Sequence, residues 1–166
     1  MAILQVIEWI DATGREIVKR VPEHGSGEFR LGSQLIVRES QAAVFFRDGK
    51  ALDTFGPGRH TLTTANLPLI DNLFKLPFGE SPFKAEVFFV ALKQFTDMKW
   101  GTPQPITLRD ADLGMVRLRA FGSYGVQIQD PALFVNTIVG TKSLFETREI
   151  EGYLRSMIVS RLTDII

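Results

Sequence analysis

The chain contains no cysteine and only two histidines among its 166 residues. Without thiols there is no disulfide framework, thiolate zinc site, iron–sulfur ligation or cysteine nucleophile. His24 and His60 lie far apart in sequence and leave too few soft ligands for an ordinary zinc site. An excess of either charge is also missing, since Lys+Arg and Asp+Glu each number 19. The chain therefore lacks the cationic surplus with which nucleic-acid binders neutralise phosphates, and no nucleic-acid partner is expected. The longest apolar runs, such as Val87–Leu92, fall far short of the roughly 18 residues of a spanning helix. Met1–Ile10 (MAILQVIEWI) has neither the basic region nor the cleavage site of a secretory leader, so a cytoplasmic location is the expectation.

Constellations that carry chemistry are missing as well. Asp110–Gly114 begins like a calcium loop, but Phe121 stands where the twelfth-position glutamate belongs. Gly56-Pro57-Gly58 is followed by no Lys-Ser/Thr pair, and Pro57 has no N–H to offer a phosphate. Gly122-Ser123-Tyr124-Gly125 sits inside a strand pattern rather than at a nucleophile elbow. Carboxylates are scattered singly, and neither histidine has a local acidic partner. No catalytic, metal or cofactor residue is assigned, and no small-molecule substrate is expected.

What the chain does have is enough apolar sequence, 45%, to bury one domain with a short appendage. Residues 1–12 read as an amphipathic helix, with Ile3, Val6, Ile7 and Ile10 on one face and Gln5, Glu8 and Asp11 on another. With Trp9, those apolar residues form a candidate partner or membrane contact. Glu8 and Asp11 would be repelled by an anionic leaflet, which favours docking over anchoring. A strand over Glu16–Val21 ends at Pro22, and residues 1–30 read as an appendage to a domain spanning 31–166.

Strand signals then become dense. Gln34–Val37 is an apolar strand, and Ala42–Arg47 and Lys50–Phe55 flank Asp48-Gly49, a pair suited to a tight type I′ hairpin. Pro57 and Gly58 suit the central positions of a type II turn, followed by a strand over Arg59–Thr63. Residues 64–83 form a Pro-punctuated connection with a short helix near Leu69–Phe74. Ala85–Leu92 is a strand, and Trp100–Pro103 reads as a turn. Ile106–Leu108 is expected to pair with one long strand over Val116–Ile128, bent near Gly122 and Gly125, with one face covered and the other wet.

The final third changes to a helical period. Asp130-Pro131 is an N-cap with proline at N1, opening a helix that closes at Gly140. A second helix, capped at Ser143 or Thr147, carries Ile150, Tyr153, Leu154, Met157, Ile158, Leu162 and Ile165 on one stripe. Nothing stops that helix, so the natural chain is expected to continue past Ile166. Ile150, Leu154, Met157, Ile158, Leu162 and Ile165 form a candidate oligomer or partner stripe, partly exposed.

Leu35–Lys50 (LIVRESQAAVFFRDGK) followed by Phe55–Leu62 (FGPGRHTL) resembles the opening of SPFH, or band 7, domains, the superfamily of stomatins, prohibitins and flotillins. Ser81–Val90 (SPFKAEVFFV), Phe95–Thr102 (FTDMKWGT), Leu108–Asp110 (LRD), Val116–Gly122 (VRLRAFG) and Asp130–Phe134 (DPALF) resemble one branch often labelled virion-core-protein-like. The resemblance implies an α+β domain with a curved, mainly antiparallel sheet, C-terminal helices packed against it, and no catalytic apparatus. It further implies a scaffold that self-associates or binds protein partners, with peripheral contact at the inner face of a membrane. The sequence departs from many members in showing no N-terminal transmembrane or hairpin anchor, and the long C-terminal coiled-coil helices are absent or cut away. Two other functions remain open at this point. One is a small hydrolase or ligand-binding domain with its site in 64–83, and the other is a structural component of a particle.

Overall fold

A computed structural model of the chain describes residues 5–23, 25, 27–63, 65–70, 83–141 and 146–166. They fall into two units, one made of residues 1–93 and 128–147 and the other of 94–127 and 148–166.

The first unit is organised by its most apolar segment, which becomes β8 (Phe83–Ala91). Around it run β2 (Val18–Val21), β5 (Gln41–Arg47) and β6 (Lys50–Phe55) in the antiparallel order β2-β8-β5-β6, and β3 (Gly27–Phe29) also pairs with β8. A smaller sheet has the order β1-β4-β7, with β1 (Val6–Glu8) parallel to β4 (Gln34–Val37) and β7 (Gly58–Thr61) antiparallel to it. Ile7, Leu35 and Val37 of the smaller sheet share one buried cluster with Ala43, Phe45, Val87 and Phe89 of the larger one. Phe45 anchors that cluster, its ring edge-on to Phe29 at 6.0 Å and to Phe55 at 5.7 Å. Such edge-to-face pairs add to the area term of burial.

The opposite side of β5 and β8 is buried too, through Ala42, Val44, Phe46, Phe88 and Val90. The short helix Pro131–Phe134 packs on β5 and β6 and continues as a π-helix over Val135–Thr141, with Val135 and Val139 fully buried. Central strands covered on both faces explain why this sequence shows apolar runs rather than alternation. Asp130 caps the helix as expected, its Oδ1 accepting the Leu133 N–H at 3.0 Å. Asn136 reaches back to β6, where its Oδ1 accepts the Ala51 N–H at 2.8 Å.

The Asp48-Gly49 pair adopts the conformation its residues require, with φ of +51° and +77°, as a type I′ hairpin demands. The type II turn expected at Pro57-Gly58 is corrected: Gly58 is the first residue of β7 and its φ of +130° is positive but well beyond the roughly +80° of that turn. The N-terminal expectation is corrected. Val6–Glu8 is a strand, not part of a helix, and residues 18–30 contribute β2 and β3 to the larger sheet rather than an appendage. Ile7 and Trp9 turn inward while Val6, Glu8 and Ile10 are more exposed, a period of two set by pairing with β4. Residues 71–82 and 142–145, which hold most of the 64–83 connection with its expected short helix near Leu69–Phe74, and the Ser143 cap, lie outside the described residues, as does His24.

The second unit pairs β9 (Phe95–Gly101) with β12 (Phe121–Val126), and β10 (Ile106–Asp110) with β11 (Gly114–Leu118), both antiparallel. The expected turn at Trp100-Gly101 is thus the end of β9. The expected long strand over 116–128 is two strands, parted at Arg119-Ala120. There the Thr102 N–H donates to the Ala120 carbonyl at 2.9 Å, and the Ala120 N–H donates to Thr102 Oγ1 at 3.2 Å. The bend falls where Gly125 interrupts the β12 register. Asp110–Gly114 is the polar hairpin turn, with Asp110 Oδ1 accepting the Asp112 and Leu113 N–H groups at 2.9 and 2.8 Å. A C-terminal helix spans Thr147–Ile165. The architecture is α+β, as expected.

Candidate interaction surface

The C-terminal helix carries the expected apolar stripe, but its burial is graded. Ile150 is buried, Leu154, Ile158 and Leu162 are half-buried, and Met157 and Ile165 are 45% and 82% exposed. The lower half of this stripe and Trp100 of β9 form an open groove of about 410 Å³, lined by Trp100, Met157, Ile158, Arg161, Leu162 and Ile165. Arg161 is the one charged residue in that lining.

Trp100 was legible only as a turn residue, because Gly101-Thr102-Pro103 follows it. Its position depends on Gly122, its direct partner across the β9–β12 ladder. A Cβ on Gly122 would lie 2.9 Å from the indole Nε1, so the absence of a side chain there lets the ring lie close against β12. Two residues along, Tyr124 has its phenol pushed above the usual tyrosine pKa by desolvation and by the Glu151 carboxylate, partly opposed by Arg155.

Large apolar side chains are also exposed at the β10–β11 hairpin and at the start of β12. Leu113, Met115 and Phe121 are 76%, 68% and 88% exposed. No signal in the sequence separated these from the covered residues of the same strands, because the alternation is regular and only the tertiary packing decides which face is left open.

The N-terminal contact set does not form one face. Ile7 is buried, Trp9 is half-buried with its ring 6.4 Å from Phe89, and Val6 and Ile10 are exposed. Ile3 lies outside the described residues. The loop after Trp9 is held by Asp11, which accepts from Thr13 N and Oγ1 and from Glu16 N at 2.7 to 3.0 Å. Desolvation raises the Asp11 pKa, but these hydrogen bonds outweigh it and the net shift is downward. Thr147, weighed above as a helix cap, serves this segment instead. It accepts the Ile17 N–H at 2.8 Å and donates to Glu16 Oε2 at 2.8 Å.

Among the described residues, no group of three or more His, Asp or Glu side chains is placed to hold a metal ion. No helix among them is long and apolar enough to cross a membrane.

The comparisons with known proteins agree with this architecture. The chain is similar to the uncharacterized protein YdjI of Bacillus subtilis (strain 168), with 30% identity over 159 residues. That match covers 94% of this chain and 48% of the relative, so the chain spans about half the length of the curated relative it matches. No solved structure matches. The SPFH domain-Band 7 family matches residues 18–166, which takes in β2 through the C-terminal helix, and the chain belongs to that family.

Proposed function

We propose that this chain is a non-enzymatic scaffold domain that self-associates and organises protein partners at or near a membrane surface. The family supports a scaffold-type role. The observation that carries the reading is the exposure of Leu113, Met115 and Phe121 within a single nine-residue stretch, 113–121. Several large apolar side chains left exposed so close together in sequence mark an interaction surface more often than single scattered ones do.

Sedimentation velocity of the full chain over a concentration series tests self-association. The expected result is a sedimentation coefficient that rises with concentration, and its loss in a Leu113→Ser/Met115→Ser/Phe121→Ser variant. A chain that remains monomeric up to about 1 mM, where even a contact of about 4 kcal/mol would be populated, refutes it. Flotation with anionic vesicles tests the membrane part, with Val6→Ser/Ile10→Ser expected to reduce recovery in the floating fraction.

A further inference from the structure

The second unit is short of core. Among its described residues Ile150 alone is buried, and its strands form only the pairs β9–β12 and β10–β11. Two paired strands are marginal in water, and three or more with a covered face are needed for independent stability.

The two outer edges of this ribbon differ. The β9–β10 side is blunted: Asp97 sits in the left-handed region at φ +59°, Lys99 and Arg109 add charge, and Pro103 and Pro105 have no N–H to donate. β12 reads Phe-Gly-Ser-Tyr-Gly-Val, with no proline and no charge, and among the described residues β9 is the one strand it pairs with. Its other side presents alternate N–H and C=O groups to whatever strand arrives.

The order of side chains along β12 also fits its own reversal. Turned antiparallel about Ser123, a second β12 sets Phe121 opposite Gly125, Gly122 opposite Tyr124, and Ser123 opposite its counterpart. Each aromatic ring then lies over a backbone with no Cβ, the arrangement by which cross-strand aromatics offset the weakness of glycine in a strand. Phe121, 88% exposed, gains a neighbour on the outer face. A slip of one residue in either direction loses every aromatic–glycine pair and reverses the face of one ribbon.

We propose that two copies of this chain join β12 to β12 about a two-fold axis at Ser123, making one four-stranded sheet in the order β9-β12-β12-β9. This deepens the self-association reading and rests on it, naming the strand and the register through which the copies meet. Over residues 121–125 the pairing forms about four to six backbone hydrogen bonds.

The chain has no cysteine, so a single introduced thiol reports its own neighbour. Under mild copper–phenanthroline oxidation the Ser123→Cys chain is expected to form a disulfide-linked dimer, because directly opposed residues hold their Cβ atoms about 4.5–5.5 Å apart. Lys99→Cys, made at the residue opposite Ser123 on β9, is the control. It lies three strand spacings, about 14 Å, from its counterpart in the second copy, and no disulfide is expected. Sedimentation velocity supplies a second measure. Ser123→Glu faces Lys99 favourably within one copy but faces its own like charge across the axis, and should raise the dissociation constant about fivefold. Mixing it with an equal amount of Ser123→Lys should restore dimerisation, which a folding defect would not do. A native chain monomeric up to about 1 mM overturns the pairing together with the self-association reading. If the native chain self-associates while Ser123→Glu assembles equally well, or while Ser123→Cys and Lys99→Cys crosslink alike, the β12 pairing alone is overturned and that reading stands.

Discussion

Replacing Asp53 tests how the first unit fixes the segment after β7. Asp53 lies on β6, is 6% exposed, and accepts the N–H groups of Leu69 and Ile70, each at 3.1 Å. Those donors belong to a helical turn that begins at Pro68, where the first N–H groups have no intrahelical acceptor. Deleting a side-chain cap costs about 1 kcal/mol. Leu69 is 51% exposed, so its N–H can turn to water, but Ile70 is 1% exposed. Orphaning a buried donor adds about 1–3 kcal/mol. Asp53→Ala is therefore expected to destabilise the first unit by about 2–4 kcal/mol, and Asp53→Asn, which keeps one acceptor oxygen, by about half that. Urea unfolding measures it through Trp9, which reports the first unit once Trp100 is replaced by Phe in every chain compared. With m near 2 kcal/mol/M, the midpoint should fall by about 1–2 M in Asp53→Ala at unchanged m. Asp112→Ala in the exposed hairpin turn is the control, expected within about 0.5 kcal/mol of the parent. A loss below about 1 kcal/mol in Asp53→Ala would refute the argument that these two hydrogen bonds hold the segment.

Gly58→Ala is expected to cost about 1–2 kcal/mol from backbone strain alone, because φ is +130° while the added Cβ would meet only His60 Nε2 at 3.8 Å. An unchanged urea midpoint would show that the turn relaxes to another conformation. The raised pKa of Tyr124 means that the unfolded chain releases the phenol proton first as pH rises. Stability fully present below the ordinary tyrosine pKa is thus lost as pH climbs through the higher folded value. Urea midpoints from about pH 9 to about pH 11 should fall more steeply for the native chain than for Tyr124→Phe. Equal slopes would remove Tyr124 from the account.

Local chemistry was the legible part of this sequence. Asp48-Gly49 and Asp130-Pro131 hold their own geometry through φ preference and a side-chain acceptor, so each could be placed without knowing its surroundings. Residues 1–12 could not. Ile3, Val6, Ile7 and Ile10 satisfy a helical period, yet Ile7 and Trp9 against Val6 and Glu8 satisfy a period of two equally well over so short a span. The choice is made by β4, distant in sequence, whose edge the segment completes. Trp100 was hidden for a similar reason. Its value as a groove wall comes from Gly122 opposite it, and neither residue signals the other in the linear chain. The 3.6-residue stripe of the C-terminal helix was plain, but the exposure of Met157 and Ile165 beside half-buried Ile158 and Leu162 is a property of the packing.

The hydrogen bond from Ala51 to Asn136 has a consequence for how copies of this domain avoid polymerising. β6 is the last strand of its sheet, and an outer strand with unanswered N–H groups invites any extended chain to add another rung. Ala51 already has its N–H donated to Asn136, and the helix that carries Asn136 lies against β5 and β6. A strand arriving at that point would have to displace the amide and make room beside the helix before gaining its first hydrogen bond. Growth by strand addition is obstructed there by a side chain arriving from far along the sequence.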